Sequence, residues 1–169
     1  WNVPSSIANK EYLPKLKRDP GYLQRQGIRV LNKSGRIVNP YSVNWAGMRR
    51  MPYRLRQDTG DKNALGRIKF MFPNKYNVYI HDTPSKSLFE RDTRAFSHGC
   101  VRLQDPRGMA AAVLGKSREH VAAQIAQGYN LAEELEHKMP VYVSYFTAWP
   151  DDDGTVEYFA DMYDRDKYL

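Results

Sequence analysis

Short apolar-rich segments predict a mainly β protein, and one of them, residues 67–72, alternates charged and apolar side chains as a half-buried strand does. They come in three consecutive pairs, and the break within each pair is rich in Gly, Pro, Asn or Asp, which is typical of hairpin turns. The paired segments are 27–31 with 36–38, 67–72 with 75–80, and 140–149 with 155–160. The sequence therefore predicts three hairpins.

A helical insertion is predicted between the second and third hairpins. Asp105 followed by Pro106 has the pattern of an N-cap and a first helical residue, and Gly115 can end that helix. Residues 117–127 and 131–137 predict two further helices. The combined pattern predicts a β-rich fold with helices late in the chain.

Two stretches show no clear period. Residues 1–20 are loop-like, with room for one helical turn, and residues 39–66 are interrupted by Pro, Gly, Asp and Asn. Irregular stretches of this length are uncommon in compact domains and usually serve as lids or binding loops. We therefore expect a functional loop region ahead of the second hairpin.

Composition limits the class of protein. The 169 residues suit a single domain, and no apolar run approaches the roughly 18 residues of a membrane span. Residues 1–100 carry 19 basic and 7 acidic side chains, whereas residues 151–169 carry 2 and 7. A basic surface of this kind favours an anionic polymer: nucleic acid, a lipid surface or an acidic cell-wall glycan.

The candidate chemistry lies in residues 80–84 and 96–103. They hold the only cysteine, Cys100, and two of the four histidines, His81 and His98. Cysteine attacks as a thiolate, which is a minor form of a free thiol at neutral pH, so an imidazole or a group of N–H dipoles must assist it. Because His81 ends a predicted strand, a chain excursion could return Cys100 to that strand end.

The residues around the cysteine suit acyl transfer. Gly99 relaxes the backbone at a short turn, where successive N–H groups can converge on one point and bind an oxyanion. Arg102 would share a strand face with Cys100 and could hold a substrate carboxylate. Two other interpretations stay open: a buried, inert cysteine, and a metal site of His81, His98 and Cys100. A structural zinc site would require a fourth ligand.

Residues 81–102 resemble the signature of the L,D-transpeptidase family, the YkuD-type catalytic domain. That signature is a His, a spacer, Ser/Thr-His-Gly-Cys, an apolar residue, and Asn or Arg. Here His81 is followed by fifteen residues, Ser97-His98-Gly99-Cys100, Val101 and Arg102. Further similarity to the large YcbB-like Gram-negative branch extends over nearly the whole chain. It is carried by residues 1–4, 19–23, 63–70, 79–84 and 89–94.

The resemblance implies a β-sandwich with a loop-rich capping region. Residues 1–169 would form one catalytic domain, with residues 1–66 largely the cap and residues 67–169 the catalytic core. In that branch further strands precede the position of Trp1. The chain would then be a fragment, and any membrane anchor or wall-binding domain would precede it.

The resemblance also assigns roles. Cys100 would be the nucleophile and His81 the general base, oriented by the backbone carbonyl of Asp82. The supporting and oxyanion-binding residues would be Ser97, His98, Gly99 and Asp82. The substrate-binding residues would be Arg102, Tyr79 and Phe96. No cofactor and no metal are implied.

The implied reaction takes place in the periplasm, in cell-wall biogenesis and maintenance of cell shape. Cys100 would attack the diaminopimelate–D-Ala bond of a peptidoglycan stem and pass the acyl group to another stem or to a lipoprotein lysine. Carbapenems acylate this cysteine in the family. Nucleic acid is not an implied partner. The alternatives are an L,D-carboxypeptidase or hydrolase that uses water as acceptor, and a non-catalytic basic wall-binding module.

Overall fold

The computed structural model describes residues 1–76 and 78–168. Its strands form three small sheets, in the orders β2-β1-β3, β4-β5-β6 and β7-β8. The strands are β1 (Ile28–Leu31), β2 (Ile37–Val38), β3 (Arg54–Gln57), β4 (Lys69–Phe70), β5 (Ile80–His81), β6 (Val101–Arg102), β7 (Ala148–Pro150) and β8 (Val156–Tyr158). The α-helices are α1 (Ser5–Ile7), α2 (Leu13–Arg18), α3 (Tyr22–Arg25), α4 (Pro106–Leu114) and α5 (Arg118–Ala126). Short 3₁₀ turns span Pro40–Ser42, Lys86–Glu90 and Asp166–Tyr168.

The first predicted hairpin is confirmed. β1 and β2 are antiparallel, with Val30 opposite Val38, and Gly35 takes a positive φ in the turn that joins them. The prediction that residues 39–66 are irregular throughout is wrong, because β3 lies within them and pairs Leu55 with Val30. Leu55 is the single apolar residue that the strand buries, and because arginines lie on both sides of it the sequence shows no apolar strand pattern there.

The loop-like interpretation of residues 1–20 is also wrong, because most of that stretch is helical. α1 leads into a π-helical turn at Ala8–Tyr12 and then into α2. Pro14 has no N–H to donate to the carbonyl four residues earlier, and the wider turn just before it accommodates that loss. The helical run buries Leu13 and Leu16 against the first sheet.

The principal apolar core lies between these helices and the first sheet. It consists of Ala8, Leu13, Leu16, Leu23, Ile28, Val30, Trp45 and Leu55. The indole N–H of Trp45 donates to the carbonyl of Pro40 (2.6 Å), so the one buried polar group of that side chain is satisfied. The region predicted to be loop-rich therefore carries the principal core.

Replacement of a core leucine measures the strength of this packing. Leu16 is fully buried, so we expect Leu16→Ala to lower the free energy of unfolding by roughly 2–5 kcal/mol. Lys17→Ala, at the exposed neighbouring position, should change it by less than about 0.5 kcal/mol. Urea denaturation followed by circular dichroism gives both values. Equal effects of the two changes would contradict the packing described.

The second predicted hairpin is confirmed in its pairing but not in its length. Within the described residues, Lys69–Phe70 and Ile80–His81 pair as antiparallel strands, whereas the sequence predicts strands over residues 67–72 and 75–80. Val101–Arg102 then adds to the other side of β5 in parallel. This three-stranded sheet positions the candidate site.

The helical insertion is confirmed in part. Asp105 caps α4 by accepting from the Gly108 N–H (3.0 Å), and Gly115 ends the helix in a left-handed conformation. Ser117 caps α5 through the His120 N–H (3.1 Å). The third predicted helix, 131–137, is wrong, because that stretch is irregular and mostly exposed.

The third hairpin is shorter than predicted. β7 and β8 pair across the Asp-rich turn, but residues 140–147 form no strand, so the prediction for 140–149 is largely wrong. Val141 and Val143 of that segment remain exposed. Within the described part of the chain, no helix combines the length and apolar character that crossing a bilayer requires.

Candidate active site

The second sheet brings the two predicted reactive residues onto neighbouring strands. His81 is the last residue of β5, and Cys100 comes directly before β6. The two strands are parallel, and His81 pairs with Arg102. The N–H of Val101 donates to the carbonyl of Tyr79 (3.1 Å), which extends the pairing toward Cys100. This register sets Cys100 beside Tyr79.

The same register determines which side chains share a face. Side chains alternate between the two faces along a strand, and paired residues of neighbouring strands share a face. Tyr79 and His81 therefore lie on the same face as Cys100 and Arg102. His81 and Cys100 are diagonal neighbours there, and diagonal pairs on a sheet are within reach of longer side chains. This is the placement that a base needs beside its nucleophile.

The His81 side chain is buried, and one of its ring nitrogens contacts the backbone. Its Nδ1 contacts the backbone carbonyl of Asp82. Burial lowers the pKa of His81; the Asp82 carbonyl opposes that shift, and the charge of Arg102 adds to it. The imidazole is therefore held in its neutral form at pH values where a free histidine is partly protonated.

Tyr79 lies next to both reactive side chains. Its ring meets the His81 imidazole at a steep angle of 66°, with centroids 6.0 Å apart. Burial raises the pKa of the Tyr79 phenol, and Cys100 raises it further. The Lys69 ammonium lies 5.3 Å from the Tyr79 ring centroid. The Cys100 side chain itself is partly exposed.

The turn before Cys100 requires a glycine. Gly99 has a φ of +121°, which side-chain-bearing residues rarely adopt, and a Cβ there would lie 3.0 Å from the Val78 side chain. The Gly99 N–H donates to the Ser97 hydroxyl (3.2 Å). The N–H groups of His98 and Cys100 have no acceptor within residues 1–76 and 78–168. Those two donors are therefore available for an external oxyanion.

The His98 side chain points toward the N-terminal helical run. Its Nε2 lies 3.1 Å from Oε1 of Glu11, and both side chains are partly exposed. The two residues are far apart in sequence, and this contact joins the region predicted to be the cap to the cysteine turn. No pattern in the sequence indicates Glu11 as a partner of His98.

Arg102 makes a hydrogen bond across the turn that contains Cys100. Its guanidinium donates to the backbone carbonyl of Phe96 (3.3 Å), across the loop that contains Cys100. The Phe96 side chain is exposed, at 41% of its maximum. In this structure Arg102 therefore contacts the turn itself, and Phe96 is free to contact a ligand.

Asp82 and two lysines complete the surroundings of the site. The Asp82 carboxylate accepts from Lys86 Nζ (2.7 Å). Sequence reasoning missed Lys86 and Lys69, because a four-residue spacing indicates contact on a helix and residues 82–85 are not helical. Within the described residues, no three His, Cys, Asp or Glu side chains are grouped as metal ligands would be. His81, His98 and Cys100 are therefore not arranged as a metal site.

Comparison with known proteins gives two matches. The YkuD family model, described as the L,D-transpeptidase catalytic domain, matches residues 1–143. A protein of Haemophilus influenzae named "Putative L,D-transpeptidase" is 34% identical over 173 residues, an alignment that covers the whole of this chain. The chain spans only 35% of the length of that relative.

Proposed function

Because the chain belongs to the YkuD family of L,D-transpeptidase catalytic domains, we propose that it transfers acyl groups of peptidoglycan stem peptides through Cys100. The observation that carries the proposal is the parallel pairing of β5 and β6, which sets His81 and Cys100 on one face of adjacent strands. A nucleophile and a base on separate strands of one sheet keep their relative placement through backbone hydrogen bonds.

The contact with Asp82 defines which nitrogen of His81 acts. A backbone carbonyl can only accept a hydrogen bond, so Nδ1 carries the proton that it donates. The lone pair of the neutral ring is then on Nε2, which takes the proton of the Cys100 thiol. The lowered pKa of His81 keeps that lone pair available.

The first half-reaction breaks the diaminopimelate–D-Ala amide. The Cys100 sulfur bonds to the carbonyl carbon, and the oxygen takes up the electron pair of the C=O π bond. When the pair returns, the C–N bond breaks and His81 Nε2 delivers its proton to the departing D-Ala amine. A thioester remains on Cys100. The free N–H groups of His98 and Cys100 would hold the oxyanion.

The second half-reaction forms a new amide. An amine of another stem, or of a lipoprotein lysine, attacks the thioester carbon and gives its proton to His81. The C–S bond breaks and the thiolate takes the proton back. We assign Tyr79, whose ring lies against the His81 imidazole, and the exposed ring of Phe96 to contact with the stem. Arg102 maintains the shape of the turn through Phe96 O.

The proposal extends to location and architecture. A wall-building enzyme of this type acts in the periplasm, on the assembled polymer. We propose that residues 1–66, folded around their own apolar core, cap the catalytic part of a β-sandwich in residues 67–169. The Glu11–His98 contact supports this arrangement, since it brings the N-terminal helical run against the cysteine turn. The excess of basic side chains in residues 1–100 suits an acidic polymer.

A defined donor tests the reaction. The protein is incubated with a disaccharide-tetrapeptide that ends in D-Ala, and the products are followed by mass spectrometry with and without an acceptor stem. Release of D-Ala with a new amide dimer is the expected result. Release of D-Ala with a tripeptide product alone would assign a hydrolase with water as acceptor. No D-Ala release would contradict the acyl-enzyme proposal.

The pH dependence of acylation reports on His81. Burial lowers its pKa below the ordinary histidine value of about 6.5, so the base form persists to a lower pH than in a free imidazole. The acid limb of the acylation rate should therefore have its midpoint below the ordinary histidine value of about 6.5. Stopped-flow acylation at pH 4.5–8 measures the profile. An acid limb centred above pH 6.5 would contradict this assignment.

A further inference from the structure

Lys86 connects the two strands that carry the reactive residues. Its ammonium donates to Oδ1 of Asp82 (2.7 Å), which directly follows β5. It also donates to the backbone carbonyls of Leu103 (3.1 Å) and Gln104 (3.0 Å), which directly follow β6. An ammonium has three N–H donors, so these three acceptors use all of them.

The carboxylate that Lys86 holds is itself tightly bound. Asp82 is buried, and its Oδ2 accepts from the Arg67 N–H (2.9 Å) while Oδ1 accepts from the Thr83 N–H (2.7 Å). A Cβ at Gly66 would lie 2.3 Å from Oδ2, so only a glycine permits this approach. Burial alone would raise the pKa of Asp82, but the bonds from Lys86 and the two amides outweigh it and lower the pKa. The carboxylate is therefore a fixed, charged anchor.

The pairing between β5 and β6 needs such an anchor because it is short. Each strand has two residues, and among the described residues the bond from the Leu103 N–H to the His81 carbonyl (2.8 Å) extends the pairing past the end of both strands. Lys86 donates to the Leu103 carbonyl and so holds the chain at this end of the β5–β6 pairing. Asp82, the other end of the clamp, also supplies the carbonyl that orients His81 Nδ1.

We propose that Lys86 is a positioning residue for acyl transfer: it clamps Asp82 to the chain after β6 and so fixes His81 relative to Cys100. This inference rests on the proposed function above. Loss of the ammonium would leave a buried carboxylate without its counter-charge and two carbonyls without their donor. The strand ends would then separate, and the base would no longer be held against the thiol.

The test compares Lys86→Met with Lys33→Met in the purified protein. Methionine keeps much of the length of lysine without its charge, and Lys33 lies exposed in the β1–β2 turn. A carbapenem titration gives the acylation rate constant, the apparent affinity and the fraction of protein that reacts. We expect Lys86→Met to lower the rate constant about 10-fold to 100-fold, since small misplacements of reacting groups have effects of this size. Apparent affinity and final stoichiometry should stay within about twofold, and Lys33→Met should match wild type.

A purely structural role for Lys86 gives a different result. The melting temperature or the reactive fraction would fall, while the rate constant per reacting molecule stayed at the wild-type value, and this would overturn the proposal.

Lys86→Arg keeps the charge and should recover part of the rate. Asp82→Asn should slow acylation as Lys86→Met does, and the double variant should be no slower than the slower single variant. Independent, multiplicative losses would also count against the clamp. If Lys86→Met does not fold, Lys86→Arg and Asp82→Asn decide the question by the same criteria.

A substrate-independent readout separates this inference from the proposed function. Alkylation of Cys100 by iodoacetamide at pH 7 requires only the thiol and its base, and it should slow about threefold or more in Lys86→Met. If wild type forms no carbapenem adduct, the proposed function fails and the alkylation rates alone decide the clamp. Equal alkylation rates in wild type and Lys86→Met would then overturn it.

Discussion

Replacement of Cys100 by alanine should abolish formation of the acyl-enzyme. Intact mass spectrometry of wild type with a carbapenem should show one adduct per chain, whereas Cys100→Ala should show none. The methyl group of alanine has no lone pair with which to attack a carbonyl carbon, and no second cysteine is present in the chain to replace it. The effect should be complete, not partial.

The fold should survive this change. Cys100 is partly exposed and lies outside the apolar core of the first sheet, so the loss of one sulfur atom removes little packing. The melting temperature of Cys100→Ala should therefore stay close to wild type. Wild type pre-treated with iodoacetamide serves as a second control, because it keeps the residue and blocks the thiol. An adduct on Cys100→Ala, or on the alkylated protein, would place the reactive group elsewhere.

Local signals in the sequence were enough to predict some elements. The Asp105 cap and the Gly115 stop each depend on residues within four positions, and each is present in the structure. The second helix also starts where the sequence predicts it, after Ser117. The first hairpin depends on a four-residue turn between alternating segments, and it too is present. Such features follow from backbone preferences that one short window contains.

The elements that were missed or wrong depend on distant partners. β3 is a strand because Leu55 pairs with Val30, 25 residues earlier, and no local pattern shows that. The helical run before Asp19 is stabilised by burial of its leucines against the first sheet, in spite of Pro14. Conversely, residues 131–137 have helical composition but are mostly exposed, so no tertiary packing stabilises a helix there.

The candidate site also combines local features that the sequence shows with contacts between distant residues that it does not show. The motif alone singled out His81 and Cys100, because histidine, glycine and cysteine in that order have a specific chemical use. The parallel register that puts the two on one face could not be predicted, since β4 and β6 join β5 from different parts of the chain. Glu11 reaches His98 across most of the first hundred residues. The spacing of Asp82 and Lys86 was visible, but not the two carbonyls that complete the clamp.

Removal of His81 should have the second-largest effect on activity. We expect His81→Ala to slow acylation by about 100-fold or more, because general base catalysis commonly contributes that much. Three observations support His81 as the proposed base: its ring is buried, its Nδ1 contacts the Asp82 carbonyl, and it lies on the face shared with Cys100. Carbapenem acylation followed by stopped-flow fluorescence measures the rate.

The other histidines provide the comparison that makes this assignment specific. The His98 side chain is exposed and paired with Glu11, so His98→Ala should slow acylation less than His81→Ala does. His120 lies exposed on α5 and contacts Gln124, so His120→Ala should leave the rate unchanged. A wild-type rate in His81→Ala together with a large loss in His98→Ala would move the base to His98. In that case the Glu11 carboxylate, and not the Asp82 carbonyl, would be the group that orients it, and the N-terminal helical run would be part of the catalytic centre.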